Sequence, residues 1–220
     1  MIEARDIVKT YGHRRVLDGA SLAVSPGECV VLTGDNGSGK TTLLHAMVGL
    51  RNIDSGGVLW HDRRLTGAGR RTWQRARAAW GFLPQQVVLP PTAPVERLLR
   101  FYARLRGMST RPAYEWLERV GLNGTEKQRV QALSGGMQQR LGIALTFYCE
   151  PALIIMDEPA SSLDPGWRGQ LATWVTEQTQ RGAGVLVTSQ LHETWRESVR
   201  FLHCEAGRIV DRHENSEAQP

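Results

Sequence analysis

The sequence predicts an α/β fold: a mainly parallel sheet covered on both faces, an antiparallel β part at the N-terminus and an inserted helical section. Three observations predict it. Residues 29–33, 153–156 and 183–188 are continuously apolar, as strands buried on both faces are, rather than alternating. Helical patterns separate these runs, which is how parallel strands are connected. Residues from about 86 to 150 read as mainly helical and would be inserted between strands.

The elements follow in chain order. Residues 2–9 and 20–25 read as short strands, the second ending at the turn Ser25-Pro26-Gly27. The buried strand 29–33 enters the glycine-rich stretch 34–39, and 41–48 reads as a helix. Residues 57–61 give another strand. Helices at 94–106 and 111–121 are joined by Gly107-Met108-Ser109. The strand 153–156 ends in acids, and 165–181 is a helix with Leu171, Trp174 and Val175 on one face. Residues 207–210 form a last short strand, and 211–220 are polar and expected to fray. The expectation is one domain over 1–220, with a core from 1–85 and 151–210, a helical subdomain at about 86–150 and a polar tail at 211–220.

Composition narrows the functional classes. With 41% hydrophobic and 22% charged residues, wholesale disorder is excluded. No apolar run approaches the ~18 residues that a spanning helix needs, and the N-terminus lacks a signal-type apolar core, so a cytosolic location is the default expectation. The three cysteines, Cys29, Cys149 and Cys204, are widely spaced with no CxxC, which argues against a zinc site or disulfide framework. Cys29 and Cys149 sit among apolar neighbours and read as core residues. The net charge of +5 permits an anionic partner. Its conspicuous source is Arg63, Arg64, Arg70, Arg71, Arg75 and Arg77, with no acid between them. That stretch reads either as a solvated face or as a contact for anionic lipid or an acidic partner loop. Nucleic-acid binding has little support, since only Trp73 and Trp80 lie nearby. Trp60, Trp116, Trp167, Trp174 and Trp195 read as packing residues.

The strongest local signal is Gly34-Asp35-Asn36-Gly37-Ser38-Gly39-Lys40-Thr41, which matches the P-loop pattern GxxxxGK[ST]. Glycines let successive N–H groups turn inward onto phosphate oxygens, and the helix that follows adds its N-terminal partial charge. Lys40 suits the β/γ-phosphates, the Thr41 hydroxyl suits Mg²⁺, and Thr42 follows them into the helix. The second signal is an apolar strand that ends in two carboxylates, Asp157 and Glu158, the Walker B pattern. Asp157 can hold the shell of a Mg²⁺ ion, and Glu158 can orient or deprotonate an attacking water. Third, Ser134, Gly135 and Gly136 open a helix whose N-terminus presents a hydroxyl and free N–H groups.

In Leu133-Ser134-Gly135-Gly136-Met137-Gln138-Gln139-Arg140 the chain resembles the signature of ABC-type ATPases, placed just ahead of the acidic strand as in that family. The resemblance covers about residues 1–210 and implies a P-loop NTPase-like core. It also implies ATP and Mg²⁺ as ligands. On this resemblance Tyr11 stacks on adenine with Val16 nearby, and Gln85 links Mg²⁺ and water to the helical subdomain. Ser161-Ser162-Leu163-Asp164 matches the loop that couples two nucleotide sites. In the family the P-loop of one subunit and the signature of another close on one ATP. A second ATPase subunit, as a homodimer, is therefore implied. So is a separate transmembrane permease, which would hold the chain on the inner face of the membrane. Phe101-Tyr102-Ala103-Arg104-Leu105-Arg106-Gly107 resembles text found in export ATPases.

One position departs from the family. Where a histidine usually follows the third core strand, this chain has Gln190, with His192 two residues further on. Glutamine can donate a hydrogen bond to phosphate but cannot carry a proton as imidazole does. Three expectations remain open: Gln190 suffices beside Glu158, His192 takes over, or the site is slow. The last would suit an ATP-dependent clamp in regulation or assembly rather than a transport motor. A non-transport ABC ATPase is a further alternative, although such proteins usually carry paired domains or long coiled coils.

Overall fold

The computed structural model describes residues 1–190, 194–195 and 199–211. Two sheets organise them. The first is antiparallel, with β1 (Ile2–Tyr11), β2 (Arg14–Val24), β4 (Ser55–Trp60) and β5 (Arg63–Arg64) in the order β2-β1-β4-β5. The second has six strands: β3 (Cys29–Thr33), β6 (Trp80–Leu83), β7 (Leu153–Asp157), β8 (Gly184–Thr188), β9 (Val199–Glu205) and β10 (Arg208–Asp211). Their order is β10-β9-β3-β8-β7-β6, and every pairing is parallel except β10 with β9.

The continuously apolar strands are buried on both faces, as their composition requires. Along β3, Cys29 and Val31 enter one core while Val30 and Leu32 enter the other. Along β7, Ile154 and Met156 alternate with Leu153 and Ile155 in the same way. One core is closed by α3 (Val95–Leu105), α4 (Arg111–Arg119), α5 (Gly135–Phe147) and α6 (Pro165–Gln180). The other is closed by α1 (Lys40–Met47), α2 (Arg70–Ala78) and the antiparallel sheet. Full burial of one Ile, Leu or Val is worth about 1.5–3 kcal/mol, so the two alternating sets are the main force that fixes strand order.

Several elements differ from the sequence expectation. β2 starts at Arg14, six residues before the predicted 20, because it is an outer strand with one solvated face that tolerates Arg14 and Arg15. β9 carries Arg200 inside a strand, which hides it from an apolar-run test. The Arg200 guanidinium is satisfied by Glu28 at 2.7 Å and by the Ala23 carbonyl at 2.6 Å. The four-residue strand β6 and the arginine-rich helix α2 were not predicted either. The helix at residues 165–181 does bury Leu171, Trp174 and Val175. Cys29 is buried, and burial pushes its thiol up to about 12, whereas Cys149 is only half-buried at the edge of the core. Residues 212–220 of the expected polar tail lie outside the described residues.

Candidate functional site

The parallel order places the C-terminal ends of β3, β6, β7 and β8 along one edge, where ligands bind in open α/β sheets. From β3 the chain enters the glycine-rich loop. Gly34 has φ +139°, and a Cβ there would lie 2.3 Å from the Cys204 carbonyl oxygen of β9. Gly39, at φ +115°, is the N-cap of α1 and passes so close to β2 that a Cβ would meet the Val16 oxygen at 2.8 Å. Only glycine fits either position. Asp35 and Asn36 form the exposed outer bend, and Ser38 packs beneath it against Cys204, whose Sγ lies 3.2 Å from the Ser38 oxygen. Lys40, the first residue of α1, is buried and donates to the carbonyls of Gly34 at 2.7 Å and Asp35 at 3.0 Å. Its ammonium thus rests on its own loop, at the mouth of a helix N-terminus that favours anions.

The two carboxylates sit at the end of β7. Asp157 is fully buried and accepts a hydrogen bond from Thr188 Oγ1 at 2.6 Å. Its second oxygen, Oδ2, is buried with no hydrogen-bond partner among the described residues. Glu158 is 8% exposed and adopts φ +47°, a left-handed conformation that costs a non-glycine residue about 1–3 kcal/mol. Its N–H donates to Thr188 Oγ1 at 2.9 Å, and its Oε1 is buried without a partner among the described residues. Buried unpaired carboxylate oxygens are rare and mark places where a ligand is accommodated.

Lys40 and Glu158 open onto a cleft of about 340 Å³, while Asp157 lies buried behind its lining. Its floor carries Asn36, Gly37, Gly39, Lys40, Thr41 and Thr42. Tyr11, 44% exposed, and Val16 form the wall on the antiparallel sheet. Gln85, two residues past β6, and Glu158 form the wall on the parallel sheet. Gln190 closes the rim, its Nε2 donating to Asn36 Oδ1 at 2.7 Å. His192, the alternative to Gln190, lies outside the described residues.

The cleft holds one cation that sequence reasoning missed. Arg14, at the start of β2, reaches over the loop and donates to the Gly37 carbonyl at 3.1 Å. The only available signal was its spacing, three residues after Tyr11. Thr188 was missed as well, because a threonine that ends a buried strand looks like strand composition.

Ser134, Gly135, Gly136 and Asp164 do not line this cleft. Ser134 caps α5, its Oγ accepting from Met137 N–H at 3.3 Å, and it is exposed. Asp164 caps α6 by accepting from Trp167 N–H at 3.0 Å. The two capped helices are tied to each other by side-chain contacts. Gln139 Nε2 donates to the Pro159 carbonyl at 3.2 Å, and the Arg140 guanidinium stacks on Trp167 at 4.3 Å. The expected packing role of Trp116, Trp167 and Trp174 is met here by a chain of ring contacts.

The ABC transporter family model matches residues 17–161. The linearmycin resistance ATP-binding protein LnrL of Bacillus subtilis (strain 168) is 33% identical over 218 residues, covering 97% of this chain and 67% of that protein. The Nod factor export ATP-binding protein I of Paraburkholderia xenovorans (strain LB400) is 36% identical over 207 residues, covering 92% of this chain and 66% of that protein. The chain thus spans about two thirds of the length of these relatives. Other similar proteins are named for import. Among solved structures, a dimeric ATP-binding cassette bound to ADP and Pi superimposes with a TM-score of 0.88 at 23% identity, over 98% of this chain and all of that one, and shares the fold.

Proposed function

This chain belongs to the ABC transporter family of ATP-binding subunits, and from that premise we propose that it binds and hydrolyses ATP to drive export through a separate membrane subunit. The observation that carries the proposal is the convergence of Lys40, Glu158, Gln85 and Gln190 on one cleft, with the Ser134 helix end facing solvent outside it.

The donor set suits Mg²⁺. Asp157, with its orphaned Oδ2, the Thr41 hydroxyl and the Gln85 side-chain carbonyl are the hard oxygen ligands this ion takes. When bound, the ion supplies charge neutralisation at the phosphates. The chain's own residues do the rest. Lys40 exchanges the Gly34 and Asp35 carbonyls for the β/γ-phosphates. The backbone N–H groups of residues 34–42, from Gly34, Asp35, Asn36, Gly37, Ser38 and Gly39 through Thr42, cradle the phosphate chain. Tyr11 stacks on adenine beside Val16. Glu158, which lines the cleft, takes the proton of the attacking water. Gln190 releases Asn36 and donates to the γ-phosphate.

A second subunit, a copy of this chain, supplies Ser134, Gly135 and Gly136 to the open side of the cleft, and Asp164 couples the two sites. ATP then holds the dimer together until hydrolysis releases it. The helical section after Gln85 contacts the membrane subunit, which keeps the chain on the inner face of the membrane. Among the described residues no helix is long and apolar enough to cross a membrane. Export is supported by the relative named for Nod factor export and by the Phe101–Gly107 stretch.

A second reading, an ATP-dependent clamp with weak hydrolysis, draws on one observation: the rim residue facing the cleft is the neutral Gln190. Mg²⁺-dependent ATP turnover by the purified chain separates the two, with Glu158→Gln as the blank. Turnover about 10²-fold or more above the blank supports the motor, since a positioned base contributes on that order. Turnover equal to the blank with nucleotide still bound favours the clamp.

A further inference from the structure

We propose that Cys204, together with the N–H of Gly207, is a positioning residue for phosphate binding: the two groups hold the Ser38 carbonyl beneath the glycine-rich loop and thereby aim the Gly39 N–H into the cleft. The proposal rests on the nucleotide-binding reading of that cleft. It adds to the phosphate loop a support that stands 166 residues away along the chain.

A phosphate cradle needs N–H groups that face inward, so its carbonyls must find donors elsewhere. The Gly34 and Asp35 carbonyls accept from Lys40 Nζ at 2.7 and 3.0 Å, and Asp35 also accepts from the Ser38 N–H at 3.2 Å. The Gly37 carbonyl accepts from Arg14. The Ser38 carbonyl takes two donors from one place, the Cys204 thiol at 3.2 Å and the Gly207 N–H at 3.2 Å. A trans peptide points its C=O and the N–H of the next residue in opposite directions. Holding the Ser38 C=O toward Cys204 and Gly207 therefore turns the Gly39 N–H to the other side of the loop. Gly39 lines the cleft, whereas neither Cys204 nor Gly207 does.

The hairpin that supplies these donors is itself anchored. β9 and β10 are joined by the two-residue turn Ala206-Gly207, at φ +47° and +78°, with Glu205 opposite Arg208. The Gly207 N–H sits in that turn and goes to Ser38, while the Gly207 carbonyl accepts from the Asp18 N–H of β2 at 3.0 Å. The entry to the loop is held by the same strand. Thr33, the last residue of β3, donates through Oγ1 to the Leu202 carbonyl at 3.0 Å and lies 3.0 Å from His203 Nδ1. Cys204 is buried, and burial raises its thiol above the ordinary range. The sulfur thus keeps its proton at neutral pH and can serve as a donor.

The test displaces a fluorescent ATP analogue from the intact chain with inorganic tripolyphosphate, which reads the loop alone, and with adenosine, which reads the wall at Tyr11 and Val16. Cys204→Ala and Cys204→Val both remove the donor and bracket cysteine in volume, and Cys204→Ser keeps a donor. Every chain is assayed at a temperature at which circular dichroism shows it folded. The expected result is tripolyphosphate binding weakened about three- to tenfold in the alanine and valine variants, the range for loss of one hydrogen bond. Adenosine binding stays at the wild-type level, and the serine variant recovers most of the loss. KM for ATP rises by the same factor with kcat little changed, because the Gly39 N–H grips the phosphate before and during reaction alike. Equal tripolyphosphate binding by wild type and the donor-less variants overturns the proposal. So does a loss shared equally by adenosine, the mark of a packing defect, or a serine variant as weak as alanine. A wild type that does not bind the analogue overturns the nucleotide-binding reading itself, and the proposal with it.

Discussion

Thr188 Oγ1 donates to Asp157 Oδ1 at 2.6 Å and accepts from the Glu158 N–H at 2.9 Å, so one hydroxyl at the end of β8 holds both carboxylates at the end of β7. Thr188 is fully buried and its strand pairs with β7 in parallel register, Asp157 opposite Thr188. Through this bridge the left-handed backbone at Glu158 is kept in place. Thr188→Val keeps the shape and removes both bonds. It leaves a buried carboxylate oxygen and a buried N–H unpaired, at a cost of about 1–3 kcal/mol for each. The expected outcome is a lower melting temperature and a clear loss of Mg²⁺-dependent ATP turnover. A variant with unchanged turnover would show that Thr188 does not position Glu158.

Arg14 is expected to act on nucleotide binding rather than on folding. Its guanidinium is exposed and donates to the Gly37 carbonyl. A charge-assisted bond from it to a phosphate is worth about 1.5–3 kcal/mol, so Arg14→Ala should weaken ATP binding by about 10-fold or more with the melting temperature of the apo chain nearly unchanged. Titration with a fluorescent ATP analogue checks this. Equal affinity would remove Arg14 from the site.

Gln190→His puts a titratable ring where Gln190 now bonds Asn36. Imidazole titrates near pH ~6.5 when unperturbed, so the variant's turnover should acquire a pH dependence in that region that the wild type lacks. Turnover measured from acid to neutral pH tests it. Superimposable profiles would mean that residue 190 does not contact the reacting phosphate.

Asp54 ties the loop before β4 to the end of β1. The Lys9 ammonium, at 2.9 Å, and the Thr10 N–H, at 2.6 Å, hold its carboxyl below the usual carboxylate range. A folded-state value below the unfolded one stabilises the fold above the ordinary range near pH ~4, and this contribution is lost as pH falls through the folded value. Asp54→Asn should therefore lower the melting temperature at neutral pH, and the gap to wild type should close in acid. The side chain is solvent-exposed, so the effect is small. A gap that is constant with pH would assign the loss to the amide itself.

Much of the site was legible because its signals are local. The positive φ of Gly34 and Gly39, the lysine at the first position of α1 and the Ser134 cap are local features of backbone and helix end, whereas the close approach of Cys204 to Gly34 and of Val16 to Gly39 is tertiary. The apolar runs of β3, β7 and β8 were legible for a related reason, since burial on both faces leaves no polar position to interrupt them. β9 was not legible, because Arg200 within it is compensated by Glu28 of a distant segment. The start of β2 was hidden by arginines on its solvated face.

The sequence by itself determined the glycine-rich loop, the acidic strand end, the capped helix and the α/β class. Tertiary structure decided which of them meet. Gln190 reaches Asn36 across 154 residues of chain, and Thr188 reaches Asp157 across 31. Those approaches follow from the strand order β9-β3-β8-β7-β6, which inter-strand hydrogen bonds and two alternating apolar cores select jointly. The packing of the antiparallel sheet brings Arg14 of β2 into the cleft, and the packing of α5 leaves Ser134 outside it; no local pattern could have specified either, because each depends on the docking of one whole element against another.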